Sequence, residues 1–170
     1  MKAKWLVILA IICSMVVGLG VVTSREHARA AKPQQTLRTF PRALRGTWYR
    51  YEYHRYRRIQ ISAHSLNDDG FKAGIHAKKL PLKISAAQRR AHPTWLIAYP
   101  VRYQHGRWTR VTGWNTWDGH GGYFRQIQQR IGGKWLPLLE IQSGSQLRTD
   151  GVAFQSKRLA KRYANLKINN

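Results

Sequence analysis

The sequence predicts an all-β domain: a small antiparallel up-and-down barrel of about eight strands, with an N-terminal signal or transmembrane helix and a short C-terminal helix. Three observations lead there. Short runs rich in aromatic and β-branched residues recur from Trp48 onward, and turn-forming clusters such as Asn67-Asp68-Asp69-Gly70 and Gly132-Gly133 separate them. Little between those runs carries helical periodicity. Hairpin-length connections between consecutive strands favour a closed barrel over a sandwich.

Residues 1–30 read as an export signal. Lys2 and Lys4 supply a positive start, Trp5 to Val22 carries no charge, and Ala28-Arg29-Ala30 is a small-x-small site for signal peptidase. The uncharged run, about 18 residues, is also just long enough to span a bilayer as an uncleaved anchor. Both outcomes stay open, although Gly18 and Gly20 loosen the end of the run. Cys13 follows Ile12, where lipid attachment needs a small residue. Residues 31–39 are polar around Pro33 and read as a flexible spacer, and residues 40–170 as the barrel domain with its basic C-terminal helix.

Trp48 to Tyr53 is aromatic-rich. Arg58 to His64 alternates, with Ile59, Ile61 and Ala63 on one face and Gln60 and Ser62 on the other. Asn67-Asp68-Asp69-Gly70 turns the chain into Phe71 to His76. Ser85-Ala86-Ala87-Gln88 has capping-box spacing and predicts one or two helical turns, which Pro93 ends. Trp95, Ile97, Tyr99, Val101 and Tyr103 share one face of the next strand, and His105-Gly106 turns it into Trp108 to Trp117. Asp118-Gly119-His120-Gly121-Gly122 is a glycine-rich loop leading into Tyr123 to Ile131. Gly132-Gly133 is a two-residue hairpin signal that needs positive φ at both positions. Trp135 to Gln142 is the return strand, where Pro137 marks an edge or a bulge. Val152 to Gln155 closes the sheet. Ser156 is placed to cap a helix with Leu159, Ala160, Tyr163 and Ala164 on one face and Lys157, Arg158, Lys161 and Arg162 around it.

The chain has 30 basic and 7 acidic residues, a net charge of +23. Cleavage after Ala30 would leave 26 basic and six acidic residues. Such a charge opposes compaction through self-repulsion, so polyanionic surroundings are expected, with solubility alone as the bland alternative. Cys13 is the only cysteine, so a processed domain would have no disulfide, which points to a Gram-positive source. Outside such a cell the abundant polyanions are wall teichoic acids and anionic lipid headgroups; nucleic acid is disfavoured. His54, His64, His76, His92, His105 and His120 would add charge as pH falls below about 6.5.

The run Phe40-Pro41-Arg42-Ala43-Leu44-Arg45-Gly46-Thr47-Trp48-Tyr49 resembles the start of a lipocalin, where a short helical turn leads into Gly-x-Trp on the first strand. The resemblance implies that Trp48 plugs one barrel end and that a basic residue near the last strand, Lys157 or Arg158, packs over it. Val111-Thr112-Gly113-Trp114, the glycine-rich loop before Tyr123-Phe124, Gly133-Lys134-Trp135-Leu136-Pro137-Leu138-Leu139 and Phe154-Gln155-Ser156-Lys157-Arg158-Leu159-Ala160-Lys161 are similar to a group of functionally uncharacterised small exported proteins of lactic-acid bacteria. That likeness spans residues 40 to 165 and implies location and fold more than activity.

No motif marks an enzyme, and no cofactor or metal is expected. The histidines are scattered, and Asp118 with His120 makes only two ligands. Ser143-Gly144-Ser145 lacks a nucleophile's rigid elbow and reads as a turn. Glu52, Glu140 and Asp118 are the carboxylates outside turn clusters, and each can equally neutralise an arginine. Binding is the expectation, at the cell surface and with no obligate protein partner. The polyanion candidates are Arg55, Arg57, Arg58, Lys78, Lys79, Arg89, Arg90, Lys157, Arg158, Lys161 and Arg162. Trp48, Trp114, Trp117 and Tyr123 are candidates for an aromatic surface, their alternative role being core filling. The runner-up function is a lipocalin-like carrier of a small apolar ligand; the third is disruption of competitor membranes.

Overall fold

The computed structural model describes residues 35–80, 84–103, 106–114, 121–143, 148–166 and 168. The expected signal or anchor, His105, Trp117, Asp118 and His120 lie outside the described residues. Nine strands form one sheet that closes on itself as a ring: β1 (Gly46–Glu52), β2 (Arg55–Ile61), β3 (Ser65–Asp68), β4 (Phe71–Ile75), β5 (Trp95–Tyr103), β6 (Gly106–Gly113), β7 (Gly122–Ile131), β8 (Lys134–Ser143) and β9 (Arg148–Phe154). Two short helices accompany it, α1 (Ala86–Ala91) between β4 and β5, and α2 (Lys157–Arg162) after β9. Among the described residues no helix is long and apolar enough to cross a membrane.

The expectation of an all-antiparallel sheet is corrected at one seam. β4 and β5 pair in parallel, with Gly74 opposite Trp95 and Ile75 opposite Leu96, while every other neighbouring pair is antiparallel. Parallel neighbours need a crossover, and the segment carrying α1 supplies it. The expected capping box forms there: Ser85 Oγ accepts from the Gln88 amide at 3.2 Å, and Gln88 Oε1 accepts from the Ser85 amide at 2.9 Å.

Turn chemistry accounts for two of the hairpins. Gly132 and Gly133 adopt φ of 56° and 81°, the positive values the dipeptide signals. Asn67 Oδ1 accepts from the Gly70 amide at 3.1 Å, closing the expected β3–β4 turn. The β1–β2 turn was not foreseen: Tyr53 and His54 take φ of 47° and 59° without glycine's freedom, as Glu52 pairs with Arg55. Pro137 sits inside β8, opposite Gln128 of β7; β9 ends at Phe154 opposite Leu138, so Pro137 has a partner strand on one side only.

Alternation then divides the side chains. Trp48, Ile59, Ile61, Ala73, Ile75, Leu96, Ala98, Val111, Phe124, Leu139, Ile141 and Ala153 form one buried cluster contributed by strands around the ring. In β5 the residues in this cluster are Leu96 and Ala98, not the aromatic face. Before β1, a helical turn at Arg42–Leu44 places the Leu44 carbonyl 2.8 Å from Trp48 Nε1, and Trp48 is 1% exposed. The expected helical turn before Gly46-Thr47-Trp48 forms, and Trp48 is buried. The second cluster lies on the opposite face, where Leu159, Ala160 and Tyr163 cover Ile131, Leu138, Val152 and Phe154. Ser156 stands at the N-cap of α2, but its side chain makes no capping bond, contrary to expectation. Residues 35–39, read as spacer, are docked: Gln35 bridges Lys79, and the Leu37 amide donates to the Ala98 carbonyl at 2.7 Å.

Candidate functional site: exposed cations, tyrosines and a basic pocket

Carboxylates decide which cations stay available. Glu52 meets Arg50 at 2.8 Å and Arg57 at 3.5 Å, Asp69 meets Arg55 at 3.3 Å, and Glu140 meets Arg125 at 2.5 Å. Asp68 takes Arg57 with both oxygens, at 2.7 and 2.5 Å. The hydrogen bonds to Asp68, opposed by burial, raise the guanidinium pKa of Arg57 further above its ordinary value. Arg57 is therefore an internal partner and not part of an outward basic patch, and Arg55 is partly committed. Arg58, Lys79, Arg90, Lys157, Arg158, Lys161 and Arg162 are exposed, and among the described residues they form no ion pair. Lys78 and Arg89 are half-buried.

Packing of α2 against β1 turns these cations into a face. Lys157 Nζ lies 5.6 Å from the Tyr49 ring and 5.5 Å from the Tyr56 ring, and Lys161 Nζ lies 5.5 Å from the Tyr51 ring. Tyr51 and Tyr56 are cross-strand partners in edge contact at 4.9 Å, Tyr49 pairs with Arg58, and Tyr53 is 90% exposed at the hairpin tip. Of the two basic residues expected over Trp48, Lys157 instead lies over tyrosines. The sequence reading missed this tyrosine surface by looking for tryptophan. Its signal was present as Tyr49, Tyr51 and Tyr53 at every second position, the period of one strand face.

The proposed tryptophan surface is corrected in turn. Trp48 and Tyr123 are buried, Tyr123 with Arg110 5.4 Å from its ring centroid. Trp114 is buried too, yet it lines a pocket of about 330 Å³ with Lys78, Lys79, Ile84, Gln88, His92 and Trp95. Lys78 enters that pocket from a clamped backbone: its amide donates to the Thr36 hydroxyl, and the Thr36 hydroxyl reaches the Lys78 carbonyl at 2.9 Å. Trp95 is sandwiched by His76 at 3.9 Å and His92 at 3.6 Å. The Trp114 indole N–H donates to the Gln88 carbonyl at 3.1 Å. Burial, then Lys78, then His92 lower the His76 pKa. His76 thus adds less charge on mild acidification than an ordinary histidine.

A second cavity has a volume of about 410 Å³. Leu66, Leu96, Val111, Phe124 and Ile141 wall it, and the Arg57–Asp68 pair stands at its edge. Glu52 and Glu140, weighed as catalytic carboxylates, are both held by arginines. Among the described residues no three His, Cys, Asp or Glu side chains are grouped to hold a metal ion. No protein-family model, curated protein or solved structure matches the chain.

Proposed function

We propose that this is a non-enzymatic, exported, strongly basic β-barrel protein that holds to the cell surface by binding anionic wall polymer or lipid headgroups. The observation that carries the reading is the contrast in pairing. The described carboxylates Glu52, Asp68, Asp69 and Glu140 are engaged by arginines, whereas the α2 cations stand exposed beside tyrosines. Each basic group near an anionic surface contributes about 1 kcal/mol, so Lys157, Arg158, Lys161 and Arg162 together form a multivalent handle. Tyrosines with an apolar body and a polar tip suit the same wet, anionic interface.

The test compares retention of the protein on isolated walls and on anionic vesicles. Binding at low salt and elution at 1 M salt are expected, because the Debye length shrinks from about 8 Å at physiological salt to about 3 Å. Replacing Lys157, Arg158, Lys161 and Arg162 by Gln should weaken binding and leave the circular dichroism spectrum unchanged. The apolar-walled second cavity supports a second reading, a carrier of a small apolar ligand, since its volume exceeds the roughly 300 Å³ such sites require. Retention indifferent to salt, together with saturable uptake of an apolar fluorophore, would favour that reading instead.

A further inference from the structure

We propose that the pocket between α1 and residues 76–79 binds a single oxyanion group of the phosphate type. The proposal stands whether or not α2 holds a polymer. Charge is the first argument. Lys78, Lys79 and His92 line the pocket, and no carboxylate lines it among the described residues. Lys78 Nζ lies 5.3 Å from the Trp114 ring, a cation–π contact that places the ammonium beside that indole. Among the described residues the other ionisable groups nearby are His76, stacked on Trp95, and Arg89 and Arg90 on α1. None of them is acidic.

Rigidity is the second. Both faces of Trp95 are occupied by imidazoles, and Trp114 is tethered through its indole nitrogen to Gln88. The Trp114 amide also donates to the Trp95 carbonyl at 2.8 Å, and the Trp95 amide to the His92 carbonyl at 3.2 Å. These contacts fix Trp95 and Trp114 as walls of the space. A ligand cannot stack on Trp95, because its faces are taken. The lysine ammoniums and the His92 imidazole then lead recognition, which suits a phosphate group. Size is the third. About 330 Å³ accommodates the oxyanion with the carbon group that bears it, well beyond the volume of one water.

Imidazole NMR on the full chain tests the site, with inorganic phosphate and a short poly(glycerol phosphate) titrated in parallel at constant ionic strength. A saturable shift of the His92 resonances, absent with chloride, is expected. Saturation by both ligands assigns the site to phosphate itself, and saturation by the oligomer alone assigns it to a polymer unit; either supports the proposal. Lys78→Gln should weaken the affinity about tenfold, with Lys79→Gln as the second variant should Lys78→Gln unfold. Lys134→Gln, on the exposed β7–β8 hairpin, should leave it unchanged. No saturable shift with either ligand, or a folded Lys78→Gln variant that binds as the parent does, would overturn the proposal.

Discussion

At Trp48 a large aromatic is fully enclosed, and its one polar atom is satisfied by the Leu44 carbonyl at 2.8 Å. Truncation removes both the packing and that bond. Trp48→Ala should therefore destabilise the fold by about 3–5 kcal/mol, read from urea unfolding; a loss below about 1 kcal/mol would show that the plug bears little weight. His76 behaves differently because it titrates. Burial, Lys78 and His92 disfavour its protonated form in the folded state, while the unfolded chain takes the proton near the ordinary value of about 6.5. The unfolded state then binds more protons as pH falls below that value, so stability declines with acidification. His76→Gln should flatten that decline. Urea midpoints at pH 7.5 and pH 5, compared between the two proteins, check it, and parallel declines would rule His76 out.

At the scale of elements, the β1–β2 hairpin carries a local conflict. Tyr53 and His54 occupy left-handed conformations that cost about 1–2 kcal/mol each for residues with a Cβ. Tyr53 is 90% exposed, so its side chain offsets little of this by packing. Asn-Gly in place of Tyr53-His54 should raise stability by about 1 kcal/mol, after glycine's larger unfolded entropy is set against the relief; an unchanged urea midpoint would count against strain there. This turn also shows why the sequence was readable only in part. Gly132-Gly133 and Asn67-Asp68-Asp69-Gly70 announce hairpins through their own chemistry, and Ser85 with Gln88 announces a helix start. Tyr53-His54 bends only because pairing on either side demands it. The parallel β4–β5 seam was equally hidden, since strand order is decided by long-range closure and not by local pattern. The same holds for the pocket: Lys78, His92 and Trp114 are far apart in the chain, and the crossover and the β5–β6 pairing together bring them to one place.

For the whole molecule, a net charge of +23 makes salt act in two directions. Screening relieves self-repulsion within the ring and weakens attraction to a polyanion outside it. Raising salt from low to near-molar should therefore raise the thermal midpoint while it lowers retention on anionic vesicles. A midpoint that falls with salt would mean that the ion pairs of Glu52, Asp68, Asp69 and Glu140 outweigh the repulsion.

The closure of the ring has a further consequence for motion. β1 and β9 meet at one paired position, Tyr49 opposite Phe154, whereas β7 and β8 pair along their full length. The helix α2 packs on β1 and on β9, so it spans this thin join like a clasp over a gap. Breathing of the molecule is therefore expected to begin there, with α2 lifting as the strands part. The proposed contact with polymer falls on that same clasp, so a bound polyanion that recognises the docked helix would also slow the opening of the fold.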